Sequence, residues 1–178
     1  MTQTAKPVTA AMLIIGNEVL SGRTQDKNLA FVASALGEIG VDMREVRIVQ
    51  DEMDDVVAAV NALRARYAYV FTTGGIGPTH DDITADCIAA AFGVKLEMHP
   101  IAVQLLEAHY EAQDIEFNAA RARMARIPEG ASLIDNPVST APGFRIENVH
   151  VMAGVPKIMQ AMMENILPTL QGLSLIHI

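Results

Sequence analysis

Apolar runs alternate with segments of helical periodicity along most of the chain. Strands are predicted over Val8–Ile15, Val41–Val49, Tyr67–Thr72 and Val94–Met98. Helices are predicted over Lys27–Leu36, Asp54–Arg66, Asp82–Phe92, Pro100–Gln113, Asn118–Arg126 and Pro156–Leu170. A short hairpin through Glu147-Asn148 is predicted to join Phe144–Ile146 to His150–Met152. This alternation predicts an α/β fold in three layers, with a mostly parallel sheet and helices on both faces.

One glycine-rich segment lies between a predicted buried strand and a predicted helix. It holds Gly74, Gly75 and Gly77, followed by the adjacent carboxylates Asp81 and Asp82. Glycines let the backbone approach a ligand closely, and the first turn of a helix offers unpaired N–H groups to a phosphate. Carboxylates fit there if a divalent cation bridges them to the phosphate. The spacing of Thr79 and Asp82 also fits a capping box, which would give Asp82 a structural role only.

Three further loops follow predicted strands and are expected to meet the glycine-rich segment at the carboxyl edge of the sheet. They are Gly16-Asn17-Glu18, Gln50-Asp51 and Ala153-Gly154-Val155-Pro156-Lys157. Taken alone, Glu18 fits a solvated carboxylate equally well, and Asp51 fits the N-cap of the helix that follows it. His80 fits a metal ligand or a proton carrier, but a single histidine is weak support for a transition-metal site.

Composition and charge narrow the class of protein. The 178 residues predict one domain over 8–172, and the net charge of −8 argues against nucleic acid as a partner. The one cysteine, Cys87, is expected to pack in a helix, and the absence of disulfide pairs fits a cytoplasmic protein. No apolar run is long enough to predict a membrane span. The apolar ending 173–178 is expected to be non-native, with natural sequence continuing beyond Gly172.

The glycine-rich segment resembles the signature of the molybdopterin-binding (MoaB/Mog-type) domain. The version Thr79-His80-Asp81-Asp82 is similar to that of competence/damage-inducible protein A (CinA) and of the N-terminal part of FAD synthase. The resemblance extends to Gly16–Gly22 with Asn28, Ile127–Ala131, Thr140–Phe144 and Ala153–Lys157. Ala153 departs from the pattern, because the late loop commonly has proline there.

The resemblance implies a site for a phosphorylated pterin or nucleotide, usually with a divalent metal ion. Asp82, Asp81 and Asp51 are expected to be catalytic, and Asp82 and Asp81 are also expected to be metal ligands. The ligand-binding positions implied are Gly16, Glu18, Asn28, Thr73, Gly74, Gly75, Gly77, Thr84, Pro142, Gly143, Gly154, Pro156 and Lys157. A homo-oligomer, dimeric or trimeric, is expected.

Two functions follow from the resemblance, together with a third possibility of an inactive domain that serves oligomer contacts. The first is metal-dependent hydrolysis of a nucleotide phosphoanhydride of the ADP-ribose or FAD class. The alternative is a non-catalytic molybdopterin-binding module in molybdenum cofactor biosynthesis. Phosphate binding is common to both, so the sequence separates them poorly.

Overall fold

A six-stranded sheet forms the centre of the structure, a computed structural model that describes residues 6–172. Its strands are β1 Val8–Ile15, β2 Val41–Val49, β3 Tyr69–Thr73, β6 Ser132–Ile134, β7 Gly143–Ile146 and β8 Val149–Met152. They lie in the order β2-β1-β3-β8-β7-β6. The first four in this order are parallel, and β7 and β6 are added antiparallel. Strands β4 Leu96–Met98 and β5 Arg126–Pro128 form a separate antiparallel ribbon.

Helices connect the strands and cover both faces of the sheet. They are α1 Asn17–Leu20, α2 Asn28–Glu38, α3 Met53–Arg66, α4 Thr84–Phe92, α5 Pro100–Ala112, α6 Ala119–Ala122 and α7 Pro156–Ile166, with 3₁₀ turns at Arg123–Ala125 and Leu167–Thr169. Proline occupies the first turn of α5 and of α7, where its missing N–H costs no helical hydrogen bond. The αL residue Gly93 ends α4.

Two separate cores result from the period-two alternation of side chains along β1. Leu13 and Ile15 point to the side covered by α3, α4 and α5, whereas Met12 and Ile14 point to the side covered by α2 and α7. The second core is rich in methionine, because Met152, Met159, Met162 and Met163 are buried there with Met12. The sheet therefore has apolar contacts on both faces, and the expectation of a three-layer α/β fold is confirmed.

Some predicted boundaries were wrong. The segment 118–126 was predicted as one helix, but it breaks into α6, a 3₁₀ turn and the start of β5. Helix α4 begins at Thr84 rather than Asp82, because residues 79–82 form a closed turn of their own. The predicted foreign tail, 173–178, lies outside the described residues. Across residues 6–172, no helix combines the length and apolarity needed to cross a bilayer.

Candidate functional site

The glycine loop after β3 has a backbone that only glycine adopts easily. Gly74 and Gly75 have φ angles of 97° and 70°. A side chain at Gly74 would collide with the carbonyl of Ile15, and one at Gly75 with the hydroxyl of Thr84. Thr84 is fully buried behind the loop, where its hydroxyl donates to the carbonyl of Gly74 at 2.9 Å and its N–H donates to Gly75 at 3.0 Å. Thr84 therefore holds the loop in shape from behind.

Backbone hydrogen bonds fix the neighbouring loops against one another at the carboxyl ends of the parallel strands. Gly74 N–H donates to the carbonyl of Met152 at 3.2 Å, and Gly16 N–H donates to Val49 at 3.1 Å. A side chain at Gly154 would come within 3.2 Å of the α-carbon of Gly74, so these two loops are in close contact. The loops after the parallel strands therefore meet at this edge of the sheet, as expected.

A cleft of about 540 Å³ opens between these loops. Seven of the expected site residues line it: Glu18, Gly74, Gly75, Gly77, Asp82, Gly154 and Pro156. Apolar side chains form much of the remaining wall, including those of Ile76, Met124, Val155 and Ile158. The cleft thus combines a polar backbone loop with apolar surfaces that suit a planar ring.

Asp82 has a structural bond as well as a place in the cleft. Its Oδ2 accepts from the backbone N–H of Thr79 at 2.9 Å and from the Thr79 hydroxyl at 2.7 Å. This is one half of a capping box, but it closes the turn before α4 instead of capping the helix, whose N-cap is Ile83. A side chain at Gly77 would lie 2.7 Å from Asp82 Oδ2, which explains the glycine there. Asp82 Oδ1 is not used in this turn.

Asp51 was expected to cap α3, and this was wrong. The N-cap of α3 is Glu52, without a side-chain cap bond. Asp51 Oδ2 instead accepts from the backbone N–H of Asn17 at 3.0 Å, and Asn17 Oδ1 accepts from Asp51 N–H at 3.3 Å. The carboxylate thus joins the loop after β2 to the first turn of α1, a long-range contact that local spacing does not reveal.

The carboxylates at this edge influence one another. Burial raises the pKa of Asp51 above its usual value; the bond from Asn17 opposes this, and the negative charges of Glu18, Asp82 and Asp81 add to the rise. Asp81 is 79% exposed and lies 3.1 Å from His80 Nε2, whose side chain is 90% exposed. Four carboxylates therefore share one electrostatic environment, in which the pKa of Asp51 is raised.

The residues fit a shared cation better than a resident metal. Within residues 6–172, no group of three or more histidine, cysteine, aspartate or glutamate side chains is placed to hold a metal ion. Mg²⁺, however, commonly uses one or two carboxylates together with ligand phosphates and water. Asp82 Oδ1 and the exposed Asp81 carboxylate are donors of that kind.

A smaller annex of about 90 Å³ opens beside the main cleft. The two share the lining residues Glu18, Thr24, Gly74, Gly154 and Pro156. Asn28 and Thr73, both expected site residues, lie in the annex rather than in the cleft. Asn28 Nδ2 donates to the carbonyl of Gly154 at 2.9 Å, so α2 is tied to the late loop.

The remaining expected residues lie near the site without lining the cleft. Gly16 is buried in the loop after β1, and Gly143 is buried where a side chain would collide with the carbonyl of Val151. Pro142 is buried and lines a small pocket next to the cleft together with Arg123 and Phe144. Lys157 is exposed in the first turn of α7.

Sequence reasoning missed one wall of the cleft, formed by Asn136, Ser139 and Ala141. Asn136 is buried, and its Oδ1 accepts from the N–H groups of Val138 and Ser139, both at 3.1 Å. Its Nδ2 donates to the Ser139 hydroxyl at 2.7 Å and to the carbonyl of Ala141 at 2.8 Å. The dipeptide Asn136-Pro137 is a turn signal that marks this loop but does not place it at the site.

Cys87 packs in α4, as expected. It is fully buried in the core on the α3 side of the sheet. Burial, with a contribution from the charge of Asp86, raises the pKa of its thiol to about 12. The thiol is therefore neutral at physiological pH and does not act as a nucleophile.

Comparison with known proteins agrees with this arrangement. The family model described as "Probable molybdopterin binding domain" matches residues 11–172. A protein of Desulfosudis oleivorans named CinA-like protein is 39% identical over 171 residues, which cover 92% of this chain and 41% of that protein. The chain spans 60–65% of the length of the first curated relatives that it matches.

Solved structures share the fold. The crystal structure of CinA from Thermoplasma acidophilum, described as of unknown function, superposes with a TM-score of 0.83 at 32% identity, covering 90% of this chain and 98% of that one. The molybdopterin biosynthesis enzyme MoaB of Thermus thermophilus superposes with a TM-score of 0.60 at 15% identity, covering 92% and 91%, which shows the fold alone. With its cleft at the carboxyl edge of the sheet and its glycine loop, the chain belongs to the family of molybdopterin-binding-type domains, in its CinA-like form.

Proposed function

We propose that the cleft binds a nucleotide-containing substrate and that the domain hydrolyses its phosphoanhydride with the help of a divalent cation. The observation that carries this proposal is the juxtaposition of a positive-φ glycine loop with carboxylates at one cleft. A site for phosphate alone gains nothing from Glu18 and Asp82, because their charges repel the ligand. With a cation between them and the phosphate, the same charges become favourable.

The glycine loop has the role of holding and orienting phosphate. Its backbone approaches a ligand without side-chain obstruction at Gly74, Gly75 and Gly77, and Thr84 keeps its shape from behind. The apolar wall formed by Met124, Val155 and Ile158 receives a ring of the substrate and excludes water from it. Orientation by these contacts lowers the entropic part of the barrier.

The carboxylates have separate roles in the proposed reaction. Asp82 would hold the cation through Oδ1, because Oδ2 keeps the turn closed. Asp81, which is exposed, supplements it. When bound, a divalent cation neutralises the negative charge that develops on the phosphate oxygens. Asp51, whose pKa is raised by burial, has the role of general base that accepts a proton of the attacking water.

Product analysis tests this function. The purified chain is incubated with ADP-ribose or FAD, with and without Mg²⁺ or Mn²⁺, and AMP is measured by chromatography. AMP release that requires the divalent ion is expected, and Asp82→Asn is expected to abolish it. An asparagine oxygen still accepts from Thr79 N–H, so the melting temperature should change little.

The control is Asp55→Asn, which removes an exposed carboxylate in the first turn of α3, outside the site. This variant should keep full activity. No AMP from either substrate, or full activity in Asp82→Asn, would contradict the proposal. A large loss of stability in Asp82→Asn would assign the residue to the turn alone.

A second candidate is a module that binds molybdopterin without turnover. The description of the matching family model and the apolar walls of the cleft favour it. It predicts tight, saturable binding of molybdopterin with no hydrolysis of ADP-ribose or FAD. Equilibrium binding measured by pterin fluorescence, alongside the chromatographic assay, separates the two.

A further inference from the structure

Helix α5 has a second apolar face besides the one that packs on the core. Its core face is fixed by Ala102 and Leu106, which are fully buried. The second face, the outer stripe, is exposed and consists of Ile101, Leu105, Ala108 and Ala112. Ile101 is 56% exposed and Leu105 is 40% exposed. Single exposed apolar residues are common on protein surfaces, but these four follow one line along the helix and form a continuous apolar strip.

The spacing and the size of these side chains favour packing against an identical helix. Steps of four, three and four residues are those of the a and d positions of a coiled coil. The large side chains lie at the N-terminal end of the outer stripe and the small ones at its C-terminal end. In an antiparallel pair related by a two-fold axis, Ile101 faces Ala112 of the second copy and Leu105 faces Ala108. Each large side chain then meets a small one, whereas a parallel pair would set leucine against leucine and leave a gap between alanines.

The residues around the outer stripe are compatible with this antiparallel pair. Gln104 and Glu111 are exposed along the same border of the stripe. The pair brings Glu111 of one copy near Gln104 of the other, so two carboxylates do not meet there. Glu107 lies about a third of a turn away from the stripe and does not face the second copy. Exposed apolar side chains also flank the helix, since Met98 before it is 46% exposed and Ile115 after it is 38% exposed.

The last described residues lie on the other face of the sheet. Leu170 packs against the core on the α2–α7 side, and the N–H of Gln171 donates to the Tyr69 hydroxyl at 2.9 Å. Helix α5 instead packs on the α3 side through Ala102 and Leu106. The described chain therefore does not lead towards the outer stripe, and a second copy is the occupant that the pattern of large and small side chains fits.

We propose that the outer stripe is a dimer interface, in which α5 of one copy packs antiparallel against α5 of a second copy. The proposal does not depend on the reaction at the cleft. The four residues span about 17 Å of helix, which is a short contact, so the dimer is weak and its dissociation constant lies in the micromolar range. Because each copy carries a net charge of −8, added salt strengthens the dimer by screening the repulsion between the copies.

Sedimentation equilibrium from low micromolar to millimolar concentration tests the interface. The unmodified chain is expected to pass from monomer to dimer over this range. Leu105→Glu places a charge in the stripe of each copy and should weaken dimerisation by about tenfold or more. Circular dichroism should show an intact fold, because Leu105 is 40% exposed. The matched control Ile48→Glu makes the same kind of change on β2, at a side chain that is 41% exposed, and should leave dimerisation unchanged.

A size swap tests whether the partner is a second copy in the antiparallel register. Ala108→Leu sets two leucines against each other and Leu105→Ala leaves a gap, so each single variant should dimerise more weakly than the unmodified chain. The double variant Leu105→Ala/Ala108→Leu again pairs one large with one small side chain and should regain the affinity. A monomer at every concentration, or a trimer, would overturn the proposal, as would a Leu105→Glu variant that dimerises as tightly as the unmodified chain. Failure of the double variant to recover the affinity that both single variants lose would overturn the antiparallel pairing.

Discussion

Replacing His150 by leucine is expected to flatten the pH dependence of stability. His150 lies in β8 and is only 1% exposed, with its ring stacked on Phe71 at a centroid distance of 5.0 Å. Neither ring nitrogen has a hydrogen-bond partner among residues 6–172. Burial, followed by the charge of Arg145 on the neighbouring strand, lowers the pKa of this histidine from 6.5 to about 4.

The sign and size of the effect follow from proton linkage. In the unfolded chain His150 binds a proton below pH 6.5, whereas in the folded protein it does so only below about pH 4. Because the unfolded state binds more protons in this window, stability is fully present above pH 6.5 and falls as the pH drops towards 4. At about 1.4 kcal/mol per pH unit, the titration of His150 lowers the free energy of unfolding by about 2 kcal/mol at pH 5 and by about 3 kcal/mol at pH 4.

Urea unfolding followed by circular dichroism at pH 7 and pH 5 measures the effect. His150→Leu should lose about 2 kcal/mol less than the unmodified protein between these two pH values. Carboxylates titrate in both proteins, so the difference between the two isolates the histidine. Equal losses in the unmodified protein and His150→Leu would refute the reasoning.

Three further predictions address the glycine loop, the missed wall and the buried thiol. Gly75→Ala should weaken AMP binding and stability far more than Gly22→Ala, since both positions have positive φ but only a side chain at Gly75 would collide with Thr84; equal effects in melting and titration experiments would show that the collision is relieved. Asn136→Ala should lower the free energy of unfolding by about 2 kcal/mol, because the substitution removes the buried amide and three part-buried backbone groups lose their partner; urea unfolding checks this, and a change below about 0.5 kcal/mol would contradict it. Cys87 should remain unmodified by a thiol reagent in the native protein and react on unfolding, as its pKa of about 12 and its burial require; fast native-state modification would disprove this.

The strands of the sheet could be predicted from the sequence where they are long and buried. The apolar runs of β1 and β3 predicted those strands to within two residues of their bounds. The three-residue strands β5 and β6 were missed, because they are defined by pairing with distant partners rather than by a local pattern. Helix α4 begins later than predicted because Asp82 accepts a hydrogen bond from Thr79 N–H and so belongs to the turn at residues 79–82.

Only the part of the site that lies on loops after parallel strands could be predicted from the sequence. The rule that ligands bind at the carboxyl ends of parallel strands brought Glu18, Asp51, Asp82 and Gly154 to one edge. The rule did not predict the wall around Asn136, because this residue lies in the loop between the antiparallel strands β6 and β7. The partner of Asp51 was also out of reach, because Asn17 is 34 residues away in the chain.

The methionine-rich core between the sheet and the α2–α7 layer contains side chains whose oxidation can report local opening of the protein. Met159, Met162 and Met163 are fully buried, so peroxide reaches their sulfur atoms only when α7 separates from the sheet. Each sulfoxide that forms then marks one such separation and stays in place as a stable mass increment. Cys87 lies on the opposite face and reports openings there through alkylation. The chain therefore carries two chemically distinct probes, one for each side of its sheet. Each labelling rate, divided by that of the same group in the unfolded chain, tells whether the two layers open together or one at a time.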